Sequence, residues 1–272
     1  MTNPFPIAAA FVRRDFRIAT SYKFNFTFQL TSGFLFVATF YFIAKLVGTG
    51  AASEALRQYN TDYFSFVLIG VATQGFLDAG LAGFTSRLRT AMTEGTLEIM
   101  FACPIRPAWV LVMPCLWSFV YESLGATLII LFGVVVFGAD LTRANLPAAL
   151  LVALLTITSY SVFGLLSASI IMLVKRGDPI NWAVAHLTAL VAGAYFPIEL
   201  LPNWLEWLAQ LLPMTHSYRA LRLTLLTGGS LPDVARELAI LAGISAVGLP
   251  LAFAACNAAI TRAKRAGSLG TF

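Results

Sequence analysis

Residues 93–98 read Thr93-Glu94-Gly95-Thr96-Leu97-Glu98, and residues 104–107 read Pro104-Ile105-Arg106-Pro107. This short charged stretch separates two long apolar runs. Two acids, a glycine and two prolines would be costly in hydrocarbon, where neither charge nor freed backbone finds a partner. The stretch therefore belongs in water or against protein, and the apolar runs beside it read as membrane spans. Glu94 and Glu98, four residues apart, share one face of a helix, with Arg87, Arg89 and Arg106 nearby.

Composition supports that reading. Hydrophobic residues make up 58% of the 272-residue chain and charged residues 11%, with a mean hydropathy of +0.80. A soluble domain carries about 25% charged residues, more than this chain has to cover a water-facing surface. The fold class is an all-α polytopic membrane protein. No cleavable signal peptide is expected: residues 1–10 are too short for its apolar core, and Arg13, Arg14 and Arg17 follow that stretch rather than precede it. Cys103, Cys115 and Cys256 are odd in number and scattered, reading as inert thiols rather than a disulfide frame or metal site.

Six spans are placed at about 24–47, 62–84, 108–137, 147–174, 180–198 and 234–260. Before them, residues 1–23 hold an amphipathic helix with Arg13, Arg14, Arg17, Thr20 and Ser21 on one face. Ile7, Phe11, Val12, Phe16 and Ile18 lie on the other. That pattern fits a helix in the headgroup layer, although an extension of the first span is the alternative. Asp15 falls in the apolar arc with no sequence feature to account for it. Pro114 is placed to kink the third span. Residues 1–23, 85–107, 175–178 and 261–272 carry most of the 18 Lys and Arg, which puts them, and both termini, in the cytoplasm. Residues 24–260 thus form the transmembrane domain and 261–272 a basic cytoplasmic tail.

Residues 197–230 break the pattern. Pro197-Ile198-Glu199-Leu200-Leu201-Pro202 leads into Asn203-Trp204-Leu205-Glu206, which reads as a capping box with Asn203 as cap and Glu206 at the third helical position. The helix it opens, 204–212, spans about 14 Å, too short to cross a bilayer, and Pro213 is expected to end it. A second short helix, 216–226, is expected between a Thr215 cap and Gly228-Gly229. Trp204 and Trp207 suit an interface, so both helices read as re-entrant or interfacial elements on the outer side.

The Glu-Gly-Thr-Leu-Glu segment with its Pro-Ile-Arg-Pro exit resembles the coupling helix of type-2 ABC exporter permeases. The order Phe196-Pro197-Ile198-Glu199, Leu212-Pro213-Met214-Thr215-His216, Arg219-Ala220-Leu221-Arg222, Gly228-Gly229 is similar to the outer gate of the same family. The resemblance implies a half-size membrane subunit of a bacterial inner-membrane exporter. It implies a homodimer or a heterodimer with a sister permease, and separate ABC ATPase subunits that carry ATP and Mg. On it, residues of about 86–107 (Arg87, Arg89, Glu94, Gly95, Thr96, Leu97, Glu98, Pro104 and Arg106) dock in the ATPase. Pro197, Glu199, Trp204, Trp207, Pro213 and Arg219 belong to the gate. The chain contains no Gly-x-x-x-x-Gly-Lys-Ser/Thr loop of its own, which fits a separate ATPase. No cofactor on this chain, no metal and no nucleic-acid partner are expected.

Asp78 and Glu122 are the notable intramembrane acids. They either line a substrate path, with Phe34 and Tyr195, or belong to a structural network, Asp78 pairing with a base such as Arg87. Arg219 and Arg222 read as snorkelling anchors, as does Lys45. The aromatic first span (Phe24, Phe26, Phe28, Phe34, Phe36, Phe40, Tyr41, Phe42) meets lipid and neighbouring spans, or stacks on sugars as in polysaccharide exporters of the family. An amphiphilic or lipid-linked cargo suits a path with so few charges. An ATP-independent channel or secondary transporter is the alternative, as is an intramembrane enzyme. The first would show broken helices at mid-membrane, the second a clustered catalytic set; His186, alone in its span, supplies none.

Overall fold

The computed structural model describes residues 4–21, 23–47, 61–96, 112–174 and 178–265, with Leu56, Tyr59 and Ile99 between them. The described residues form nine α-helices and no strand. They are α1 (Pro4–Ser21), α2 (Lys23–Val47), α3 (Tyr63–Thr93), α4 (Leu116–Phe137) and α5 (Leu146–Val174). They continue with α6 (Pro179–Val191), α7 (Asn203–Gln210), α8 (Pro213–Leu226) and α9 (Ala235–Arg265). Four segments, built on α3, α4, α5 and α9, are long and apolar enough to cross a membrane.

The helices α3 and α5 form the centre. α5 packs along both α3 and α9, and α3 packs along α4. Glycine sets these distances: a Cβ at Gly80 would overlap Tyr160 of α5, and one at Gly164 would overlap the Gly80 carbonyl. Such small-residue contacts let two spans close to backbone distance, the main source of packing energy in lipid. Hydroxyls then bridge the helices: Thr156 Oγ1 donates to Ser217 at 2.8 Å, and Thr158 and Ser245 lie 3.2 Å apart.

Several boundaries differ from expectation for local reasons. α3 runs nine residues beyond 84, so the stretch from 86 begins as its last two turns rather than as a separate insert. The third span opens with a 3-10 turn at Met113–Cys115, so Pro114 sits at a helix start instead of kinking its interior. α6 ends at Val191, well short of 198, because the backbone turns at Gly193, whose φ of 83° excludes a helix. α7 begins after Pro202, and neither Asn203 nor Glu206 makes the expected capping box. Pro213 does not merely end α7: it opens α8 at the first helical turn, where its missing N–H costs nothing. Thr215 is therefore buried inside α8 and caps nothing.

Candidate functional site

α3 reaches both regions that the sequence marks out. At about 1.5 Å per residue its 31 residues span roughly 46 Å. Most of its length is buried, and it runs as one uninterrupted helix.

At its C-terminal end the helix closes in a Schellman motif. Gly95 adopts φ 67°, its N–H reaches the Met92 carbonyl at 3.2 Å, and the Thr96 N–H reaches Ala91 at 3.0 Å. Thr93, Glu94 and Gly95 are exposed there, and the helix does not run through from Glu94 to Thr96. Glu94 and Glu98 thus do not share one unbroken helix. Leu97, Glu98, Pro104 and Arg106 lie outside the described residues, as do Cys103 and the tail after Arg265. Arg89 is exposed one turn before the motif, on the surface expected to dock.

Arg87 has a different partner from the one the sequence suggested. Its guanidinium lies 3.3 Å from Asp15 Oδ2, and Asp15 Oδ1 accepts from Arg14 Nε at 2.8 Å. Asp15 is 4% exposed, so the acid that interrupts the apolar arc of α1 faces protein and is neutralised by two arginines. Phe16 packs edge-on against Trp117 of α4 at 5.6 Å. α1 is thereby held against the end of α3 and the start of α4.

Midway along α3, Asp78 faces outward from the bundle, and Glu122 of α4 reaches over Gly75, where a Cβ would collide with its carboxyl. The two acids lie within electrostatic range of each other, and Tyr195 lies within range of Asp78. Arg87 has Asp15 as its carboxylate partner, rather than Asp78. Beside them Tyr218 Oη donates to Gln74 Oε1 at 2.8 Å. Phe34 stacks on Phe132 of α4 at 4.3 Å, while Tyr195 stacks on Phe40 at 5.2 Å with Phe36 edge-on to it.

At the N-terminal end of α3, Arg222 of α8 is 3% exposed and anchors nothing to a headgroup. Its Nε donates to the Phe66 carbonyl at 3.2 Å and its Nη2 to the Ala194 carbonyl at 2.9 Å. The guanidinium lies over the Phe66 ring at 3.3 Å. Gly70 makes room, since a Cβ there would overlap the Ala194 oxygen. The sequence missed this staple because nothing local distinguishes Arg222 from Arg219. Arg219 is the partly exposed one of the two, 3.7 Å from Glu237 of α9. Pro197 opens a 3-10 turn that contains Glu199, and Trp204 and Trp207 are 65% and 63% exposed on α7. Loop 138–145 closes the same end: Asn145 Nδ2 donates to the Gly229 carbonyl at 3.1 Å.

Among the described residues no group of three or more His, Cys, Asp or Glu side chains could hold a metal. His186 turns back on its own helix, Nδ1 lying 2.7 Å from the Trp182 carbonyl. The family described as ABC-2 type transporter matches residues 7–226, from α1 through α8. Comparison with curated proteins returned no match. The chain belongs to the ABC-2 type transporter family and is a multi-pass membrane permease of an ABC transporter, a transport subunit whose family works with ABC ATPases.

Proposed function

We propose that this permease is one half of an ATP-driven exporter in a bacterial inner membrane, with both termini in the cytoplasm. Its six spans are α2, α3, α4, α5, α6 and α9, and α7 and α8 form the outer gate. The observation that carries the reading is α3. One continuous helix joins the exposed Glu94–Thr96 turn to the Arg222 staple that ties α8 and the 192–197 turn to its other end. Closure of an ATPase dimer against the first would move the second without an intervening hinge.

The docking surface comprises Arg89, Glu94, Gly95 and Thr96, with Leu97, Glu98, Pro104 and Arg106. ATP and Mg sit on the ATPase. Two copies of this chain, or this chain and a sister permease, enclose the path. Asp78, Glu122, Phe34 and Tyr195 face it. With two acids as its notable charges, that path suits an amphiphilic or lipid-linked cargo such as a lipid, drug or glycoconjugate. The cluster of Phe36, Phe40 and Tyr195 favours a second reading, a polysaccharide whose sugars stack on the rings.

The test is co-purification with the candidate ATPase in lipid, comparing wild type with Glu94→Arg/Glu98→Arg. The complex forms and hydrolyses ATP in the wild type, and the double reversal releases the ATPase. A chain that purifies as a folded oligomer without any ATPase would contradict the reading.

A further inference from the structure

A groove of about 670 Å³ runs between α4 and α9, floored by α3 and α5. Val120 of α4, Phe84 of α3, Ile157 and Leu165 of α5 and Phe253 of α9 line it, and Val12 of α1 meets its end. It is almost wholly apolar for a reason visible in the hydrogen bonds. Ser123 donates to Phe119 O at 2.8 Å, Thr158 to Leu154 O at 3.0 Å and Ser161 to Ile157 O at 2.7 Å. Each hydroxyl on the groove wall already has a partner, on its own helix and, for Thr158, at Ser245 of α9 as well, so the groove offers an occupant hydrocarbon contact and little polar demand.

Its length and its rim narrow the choice of occupant. From Leu154 to Leu165 the floor runs about 16 Å along α5. That matches the ~15 Å hydrocarbon depth of one leaflet, half of a ~30 Å core. Its volume lies within the ~300–1,000 Å³ range of pockets that bury one small ligand. At the end of the groove Val12 is part-buried and the half-exposed Phe16 touches Trp117, and the exposed Arg13 and Arg17 each follow one of them, about 100° round α1. We infer that the groove holds one acyl chain of an anionic phospholipid whose headgroup rests on Arg13 and Arg17, making a resident lipid site that braces α1 against the bundle. On the orientation proposed above this is the inner leaflet; the site itself does not depend on that orientation.

The test is lipid retention. The full chain is reconstituted in nanodiscs of equal phosphatidylglycerol and phosphatidylcholine, released into mild detergent and weighed by native mass spectrometry, without ATPase or nucleotide. Wild type keeps one phosphatidylglycerol per chain. Removing each arginine (Arg13→Gln, Arg17→Gln) weakens retention about fivefold, as a single basic contact to an anionic surface does. Val120→Trp fills the groove and expels the lipid, whereas Val120→Ala keeps it. Equal retention of the two lipids, retention by Val120→Trp, or loss from both position-120 variants would each overturn the assignment. So would a Val120→Trp chain that loses its oligomeric state, which would make the groove a seat for a second copy. Failure to bind an ATPase leaves this readout unchanged, so the two proposals fail separately.

Discussion

The side chains that hold this bundle are few and specific. A methyl at Gly70 would displace the Ala194 carbonyl and crowd Arg222 Nη2 at 3.1 Å. Gly70→Ala should therefore destabilise the chain by about 1–3 kcal/mol, the usual cost of overpacking, seen as a lower melting temperature in detergent. Arg222→Lys keeps the charge but loses the fork that reaches two carbonyls at once. It should cost about 2 kcal/mol, with a similar fall in melting temperature and faster proteolysis between α6 and α7. Glu122→Gln removes the charge and spares the shape beside Gly75. Expression and assembly should stay normal while ATP-driven movement of the amphiphilic cargo proposed above changes in proteoliposomes. Unaltered movement would take Glu122 off the path. At these residues the sequence alone does not determine the partner. The acids at 78 and 122 are visible in the sequence as intramembrane charges, but the approach of Glu122 to α3 depends on the space that Gly75 leaves. Asp15 looked misplaced until its partner 72 positions away came into view.

At the scale of elements, the apolar runs were legible because lipid demands them. Their ends were not, because ends follow from local backbone events. Gly95 and Gly193 take left-handed conformations that stop α3 and α6, and only the first coincides with a motif the sequence advertised. Pro213 was read as a stop although proline equally suits a first turn, and the short α7–α8 junction uses it that way. Arg222 passed for a membrane anchor because the amphipathicity of α8 says nothing of which face α3 and the 192–197 turn will cover. The loop after α4 carries its own titration. Asp140 accepts from Thr142 Oγ1 at 2.7 Å and Thr142 N at 3.0 Å, which hold its carboxyl below the ordinary value of 3.8. A carboxyl lowered on folding stabilises the loop above its unfolded value, and that support is lost as pH falls through the lowered one. Acidification should thus speed amide exchange at Thr142 beyond its intrinsic trend, and Asp140→Ala should abolish the difference.

On the scale of the whole molecule, α1 is the piece that composition alone would leave loose. Asp15 ties it to Arg87 at the end of α3, and Phe16 ties it to Trp117 at the start of α4. Breaking a buried ion pair by replacing one partner is costly, typically by about 3–5 kcal/mol, and Asp15→Arg puts a buried cation beside Arg14 and Arg87. Asp15→Arg alone should unseat α1 and lower ATPase binding. The swap Asp15→Arg/Arg87→Asp should restore much of it, since the pair is re-formed with its signs exchanged. No rescue would mean that α1 is placed by its apolar face alone. The central claim is that a load applied at the Glu94 turn passes along α3 to the Arg222 staple and from there through α8 to α7. The most direct measurement is maleimide labelling of Trp204→Cys in the reconstituted permease–ATPase complex, with and without trapped nucleotide. The account predicts a severalfold change in labelling rate in an otherwise unaltered chain and none when Glu94→Arg uncouples the turn. Equal rates with and without trapped nucleotide, while the ATPase stays bound and turns over, would contradict it.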